Sequence, residues 1–432
     1  MDTVLNVTLW GENVAAVVWN KETGAAIVEF YDSFITKHLD IAPLTMPLED
    51  LVRGERIFSF PAHRGKTFKG LPGMLADSLP DDYGNKILDE WFTGKGMSIA
   101  EFTPLDRLCY VGKRGMGALE YEPANKDIKL NESSKIEIDQ LVELARDILN
   151  QREAFRANLQ KGNKAILDIL KVGTSAGGAK PKAIIAFNEK TKEVRSGQVK
   201  APDGFTYWLL KFDGVEDRKL NDNPIGIGRI EYAYYHMARA CGINMAESRL
   251  LEEGEHAHFM TKRFDRTDRG EKRHIQTLCA MAHFDRDERY AYEQAFQIMR
   301  RLHLPYPEIE QMYRRMVFNV VTRNHDDHTK NHSFIMNPRG EWSLAPAYDL
   351  CYTYSPSGKW TSQHQMSLHN KRDDFTYSDL TAVAKNTGIK QTDQLIEQTV
   401  EVASRWNKYA SAVGVNPSYI EQIGKNLRLL RK

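Results

Sequence analysis

The densest grouping of reactive side chains in this chain is Asn324-His325-Asp326-Asp327-His328-Thr329-Lys330-Asn331. Carboxylates, amides, imidazoles and an ammonium in one short stretch suit phosphoryl transfer, where a protein orients groups and stabilises spreading negative charge. Asp326 would accept the proton of an attacking hydroxyl. Asp349, in Tyr348-Asp349-Leu350, would hold Mg²⁺ together with the amide oxygen of Asn331, because that cation prefers oxygen ligands. Lys330 would neutralise charge on the group in flight.

A rival reading takes His325, His328 and His332 with Asp326 and Asp327 as a metal-hydrolase cluster like that of the His-Asp phosphohydrolases. Those enzymes set their ligands on helices and draw on further upstream histidines. Here a strand from His332 to Met336, a turn at Asn337-Pro338-Arg339-Gly340 and a return strand to Leu344 follow at once. Asp326 and Asn331 stand five apart, the offset of the Asp and Asn in a protein-kinase catalytic loop. Helix, loop with Asp and Asn, hairpin and a further Asp is also the order of a kinase C-lobe. Asp327, a second carboxylate beside the base, would raise the pKa of Asp326.

Two upstream features have phosphate character. Gly173-Thr174-Ser175-Ala176-Gly177-Gly178-Ala179-Lys180-Pro181-Lys182 precedes the apolar run Ala183 to Phe187. Small residues let a turn approach an anion so that its N–H groups cradle phosphate oxygens, and Lys182 adds charge there. It is not a Walker motif, and taken alone it also fits an ordinary glycine loop. Lys211 lies inside the apolar strand Trp208-Leu209-Leu210-Lys211-Phe212, where an ammonium must snorkel or find an anion. Bound to nucleotide phosphates, it would be supported by Glu231 from the next helix. A second Gly-rich stretch, Gly112-Lys113-Arg114-Gly115-Met116-Gly117, lacks phosphate chemistry nearby and is expected to be a hairpin turn.

These residues need elements to place them. Thr3–Trp10 and Ala25–Phe34 have strand composition, with turn residues Lys21-Glu22-Thr23-Gly24 between them. Phe58–Pro61 is extended, and Leu79-Pro80-Asp81-Asp82 opens a helix over Tyr83–Phe92. After the polar stretch Asn125–Ser134, Ser134 and Glu137 fit a capping box ahead of a helix carrying Ile138, Leu141, Val142, Ala145, Ile148 and Leu149. Phe205–Phe212 and Phe259–Phe264 are strands, and a helix over Ile227–Cys241 stops at Gly242. The strongest helical stripe, Ile309, Met312, Tyr313, Met316, Val317, Val320 and Val321, runs directly into the reactive loop.

The chain has 432 residues, 41% apolar and 27% charged, with a mean hydropathy of −0.52. That balance belongs to a folded globular chain rather than a disordered one. The formal charge of +1 excludes nucleic-acid binding through bulk positive charge but leaves room for a local basic patch. No apolar run approaches the ~20 residues of a membrane helix, and the start Met1-Asp2 lacks signal-peptide character. Cys109, Cys241, Cys279 and Cys351 lie far apart, which disfavours a zinc ribbon or a disulfide scaffold and suits idle thiols in a reducing cytoplasm.

The chain resembles the HipA family of serine/threonine kinase toxins from bacterial toxin–antitoxin pairs, over nearly its whole length. The resemblance rests on Gly70 to Asp81, on Gly112 to Leu119, on Ser175 to Lys182, on Arg263-Phe264-Asp265-Arg266, and on Asp326-x-His328-x-Lys330-Asn331 with Tyr348-Asp349. It implies an α+β, two-lobed protein-kinase-like fold with an N-terminal β-rich subdomain (1–124), an N-lobe remainder (125–265) and a helical C-terminal lobe (266–432). By the same resemblance Asp326 is the base, assisted by Lys330, and Asn331 and Asp349 hold Mg²⁺. ATP would meet Ala176, Gly177, Gly178, Ala179, Lys180, Lys182, Lys211, His328, Asn331 and Asp349, with Lys262 in the hinge and Phe264 and Asp265 at the base and ribose. Ser175 falls where the family autophosphorylates and switches itself off. The implied partners are a HipB-like helix-turn-helix antitoxin, operator DNA reached mainly through it, and a translation-related protein substrate, possible targets including aminoacyl-tRNA synthetases; no membrane is implied. A small-molecule phosphotransferase with kinase-like lobes, or an inactive co-repressor, are the alternatives.

Overall fold

The structure, a computed structural model, describes residues 4–94, 96, 98–99, 102–123, 133–150, 173, 181–215 and 225–432. It divides into two compact units. The first joins 1–225 to 260–276 and 336–341, and the second holds 226–259, 277–335 and 342–432. Each unit is thus assembled from separated segments of the chain. Residues 260–276 belong with the first because they run beside its second sheet.

In the first unit, strands β1 (Leu5–Leu9), β2 (Glu12–Asn20), β3 (Ala25–Phe30), β4 (Ile57–Ser59) and β5 (Leu119–Glu122) form an antiparallel sheet in the order β4-β3-β2-β1-β5. The turn at 21–24 forms because the Asn20 side-chain oxygen accepts from the N–H groups of Glu22 and Thr23 at 2.9 and 3.1 Å. The helix Asp82–Gly94 follows Asp81, whose carboxylate accepts from Gly84 N at 2.6 Å. A second sheet contains β6 (Lys182–Asn188), flanked antiparallel by β7 (Val194–Ser196) and β8 (Phe205–Lys211). From Lys182 to Phe187 β6 is wholly buried, the pattern of a central strand.

Two local expectations are corrected. The helix Ile138–Asn150 starts too late for a capping box at Ser134, because Lys135 bridges to Arg195 and Ile136 N donates to Val194 O. Nor is Gly112–Gly117 a hairpin. Gly112 terminates the helix Pro104–Val111, and the following turn leads into β5.

That turn is gripped by the Arg-Phe-Asp-Arg segment. Asp265 is 1% exposed, and its carboxylate accepts from Arg263 Nε at 2.8 Å and Nη2 at 2.6 Å, from Arg266 Nη1 at 2.8 Å and from Gly117 N at 2.8 Å. Arg266 also donates to Gly115 O and Gly117 O, and Arg263 to Gly197 O. Gly117 has φ of +73°, and a Cβ there would lie 3.2 Å from Ile275 Cγ1, so glycine is required. The two arginines hold the Asp265 carboxyl well below the usual range despite its burial.

The second unit is mainly helical. Helix Ile227–Ala240 lies close to the strand His256–Lys262, and a Cβ on Gly228 would sit 2.0 Å from Ala257 O. Helices Tyr292–Arg301 and Tyr306–Thr322 precede a hairpin of Ser333–Met336 and Trp342–Leu344. Four more follow: Tyr377–Thr387, Thr392–Ser404, Trp406–Ala412 and Pro417–Asn426. Among the described residues, no helix is long and apolar enough to cross a membrane.

Asp265→Ala leaves two buried guanidinium groups without their counter-charge. It should cost about 3–5 kcal/mol of stability, measured as a shift of urea unfolding to lower denaturant. An unchanged transition would mean that the arginines find another anion.

Candidate active site

Helix Tyr306–Thr322 delivers the reactive loop. Its end is set by Arg323 in the left-handed region (φ 59°), and Asn324 N still reaches back to Asn319 O at 3.0 Å. From there the chain has no sheet or helix ladder until a short 3₁₀ turn at Thr329–Asn331. Its geometry is therefore imposed by side chains.

Asp326 and Asp327 point in opposite senses. The Asp326 side chain is 43% exposed, with Oδ1 lying 3.6 Å from His328 Nε2. Asp327 is 1% exposed. It accepts from Tyr292 Oη at 2.8 Å, His364 Nδ1 at 2.9 Å, Gln365 N at 2.7 Å and Met366 N at 3.4 Å. A carboxylate only accepts, so Nδ1 of His364 carries the proton. His364 and these other donors hold the Asp327 carboxyl below its ordinary range despite burial. Asp327 is therefore an anchor facing inward, not the second carboxylate at the base that the sequence suggested.

Further hydrogen bonds run on from the anchor. Asn319 Nδ2 donates to Tyr292 Oη at 3.0 Å, Asn324 Nδ2 to Asn319 Oδ1 at 2.9 Å, and Thr353 Oγ1 to Asn324 Oδ1 at 3.3 Å. The Thr353 hydroxyl in turn accepts from His325 N at 2.7 Å and Asp326 N at 3.0 Å. Asn331 Nδ2 donates to Asp326 O at 2.8 Å, which leaves Oδ1 as the acceptor end of that amide. Tyr348 Oη donates to Lys330 O at 2.7 Å and accepts from Ser333 Oγ. Asp349 follows directly, with φ of 57°, a conformation few non-glycine residues adopt.

The donor set suits a hard cation. Asp349 and the Asn331 amide oxygen would offer oxygen ligands on segments cross-linked to Asp326, and a Mg²⁺ ion would retain waters and phosphate oxygens for its other positions. The histidines of the rival hydrolase reading are arranged otherwise. His325 Nδ1 donates to Thr361 O at 3.0 Å, and the ring lies 4.1 Å from that of His364. Both ring nitrogens of His332 are buried with no hydrogen-bond partner among the described residues. Among those residues, no three His, Cys, Asp or Glu side chains gather as a metal-ligand set.

The remaining expected residues are distributed between the units. Glu231 is buried on helix Ile227–Ala240 in the second unit, whereas Lys211 closes β8 in the first. Lys182 and Lys211 are directly opposed across β6 and β8, so both face the same side of the sheet. Lys182 is buried and pairs with Asp81 at 3.3 Å. Burial pushes the Asp81 carboxyl up to about 6 even against that ammonium. Lys262 pairs with Asp268 at 2.8 Å, and Phe264 is half-buried. The ribose contact expected of Asp265 is corrected: its carboxylate is already occupied by two arginines and Gly117 N. Ser175, Ala176, Gly177, Gly178, Ala179 and Lys180 lie outside the described residues.

Sequence reasoning missed Tyr292, Asn319, Thr353 and His364. Asn319 alone left a trace, as an amide inside the apolar stripe Met316, Val317, Val320 and Val321.

Residues 174–406 match the family described as HipA-like C-terminal domain, and residues 5–122 match the HipA N-terminal domain. The curated serine/threonine-protein kinase toxin HipA of Shewanella oneidensis is 24% identical over 198 residues, 41% of this chain. The match spans 42% of that protein's length. A solved structure of Shewanella oneidensis HipA, in complex with HipB and operator DNA, aligns with a TM-score of 0.67 at 18% identity. It covers 99% of this chain and 96% of that one, so the α+β fold is shared.

Burial, reinforced by His364, pushes the His325 pKa down to about 3. The unfolded chain therefore binds this proton near pH 6.5 and the folded chain only near pH 3, so acid favours unfolding across that window. The stability of the second unit should fall by about 1.4 kcal/mol per pH unit for this group. His325→Asn keeps a donor toward Thr361 O and should flatten the slope in urea titrations between pH 6 and 4; an unaltered slope would refute the assignment.

Proposed function

Because the chain belongs to the HipA family, we propose that it is an ATP- and Mg²⁺-dependent serine/threonine protein kinase toxin. The observation that carries this reading is the placement of Asp349 between Tyr348 and Thr353, both hydrogen-bonded to the loop bearing Asp326 and Asn331. One exposed carboxylate and two further oxygen ligands on braced segments are what phosphoryl transfer to a hydroxyl requires.

In this mechanism Asp326 accepts the proton of the attacking serine or threonine hydroxyl. Its exposure leaves the carboxylate accessible, and the bond from its N–H to Thr353 fixes the backbone from which it projects. Asn331 and Asp349 would hold the cation, with the Asn331 amide kept in one orientation by Asp326 O. Bound Mg-ATP supplies the phosphoryl donor and screens its charge. Lys330 stands within the same turn to stabilise the transferring group. Lys211 and Lys182 stay in this reading as nucleotide-binding lysines on the strength of the family resemblance, and they share one face of the sheet in the first unit.

In keeping with the family, the reading extends to growth arrest through a translation-related substrate and to a HipB-like antitoxin that reaches operator DNA. The complex solved for the Shewanella oneidensis protein supports that partnership. Autophosphorylation of Ser175 would serve as the off-switch, since a phosphoserine there would repel the nucleotide phosphates.

Intact-mass measurement after incubation with Mg-ATP should show one added phosphate on the wild type and none on Asp326→Ala, which still binds ATP. Asp349→Ala should also weaken Mg²⁺-dependent nucleotide binding. Full transfer by Asp326→Ala would overturn the base assignment, and turnover of small alcohols without protein labelling would favour a small-molecule kinase.

A further inference from the structure

Thr353 is not among the residues assigned to phosphoryl transfer, yet its hydroxyl is saturated by the loop that carries Asp326. It accepts from two successive backbone N–H groups, those of His325 (2.7 Å) and Asp326 (3.0 Å), and donates to the side chain of Asn324 (3.3 Å). Its own N–H donates to Arg323 O at 3.3 Å. A hydroxyl offers two lone pairs and one proton, so nothing of the Thr353 hydroxyl remains for solvent or another partner. All three groups lie on residues immediately before or at the base.

The position of Thr353 in the chain matters as much as its contacts. It stands four residues after Asp349, and Tyr348, one residue before Asp349, is bonded to Lys330 O. The segment with the cation-holding carboxylate is thus attached at both ends to the loop with the base. Neither loop has a ladder of its own at these points. Removing the hydroxyl frees two adjacent backbone donors and the Asn324 acceptor together.

We propose that Thr353 is a positioning residue for phosphoryl transfer: its hydroxyl sets the register between Asp326 and Asp349 without touching nucleotide or substrate. This inference rests on the kinase reading above. A loosened register misplaces the base relative to the bound phosphates, while Asp349 and Asn331 keep the oxygen atoms that would hold the cation. Small misplacements of reacting groups cost on the order of 10²-fold in rate, so the effect falls more on kcat than on the affinity for Mg-ATP.

The test compares wild type, Thr353→Val, which keeps shape without the hydroxyl, and Thr353→Ser, which keeps the hydroxyl without the methyl. Initial rates of phosphate transfer from ATP should fall by a factor of about 10 or more in Thr353→Val, with a much smaller change in KM for Mg-ATP, and Thr353→Ser should restore most of the rate. Amide hydrogen exchange at His325 and Asp326 should accelerate in Thr353→Val and return to wild-type protection in Thr353→Ser. A Thr353→Val protein with the wild-type kcat, or a serine variant as slow as the valine one, overturns the proposal. If the wild type itself transfers no phosphate, the kinase reading fails, and hydrogen exchange alone decides whether Thr353 clamps the loop; unaltered exchange in Thr353→Val then refutes the clamp.

Discussion

A loop that must present a carboxylate to substrate cannot also bury itself, and it has no ladder of backbone hydrogen bonds to hold it. Here the burden falls on Asp327, the residue next to the proposed base Asp326. Its charge is taken out of water and satisfied by the hydroxyl of Tyr292, the imidazole of His364 and the N–H groups of Gln365 and Met366. A buried charge tolerates little loss of its partners, since each missing donor leaves desolvation uncompensated. The loop is therefore held in an all-or-none manner. Because adjacent residues on an irregular turn project in different directions, anchoring Asp327 inward is also what leaves Asp326 outward.

The first unit uses the same device with the signs distributed differently. There the buried carboxylate of Asp265 meets two guanidinium groups and a backbone N–H, and the arginines extend the grip to Gly115, Gly117 and Gly197. The arrangement fixes a glycine turn that could not fix itself. Both acids sit in motifs that look chemical in the sequence, and both are structural. What separates them from Asp326 and Asp349 is burial, together with donors contributed from distant parts of the chain.

That distance explains what could be read in advance. The turn after Asn20, the helix running into the reactive loop, the hairpin behind it and the stop near Gly242 all follow from residues within a few positions of one another, and the structure contains them. The order of candidate base, cation ligands and strand lysine rests on residue type and spacing alone. The functions of Asp265 and Asp327 were not. Gly117 lies 148 positions from Asp265, and His364 lies 37 from Asp327. A local pattern carries no trace of such partners. Ser134 failed for a related reason: a pairing of Lys135 with Arg195, 60 positions further along, outweighed a local cap.

Asp349 shows how these constraints combine. Its left-handed backbone costs about 1–3 kcal/mol for a residue that is not glycine, and such a conformation persists only where neighbours over-determine it. Tyr348 fastened to Lys330 on one side and Thr353 fastened to His325 and Asp326 on the other supply that determination. A relaxed Asp349 would have to break one of these attachments, each of which ends on the loop carrying Asp326 and Asn331. The strain at Asp349 and the position of Asp326 are thus maintained by the same hydrogen bonds. A change that relieves one disturbs the other.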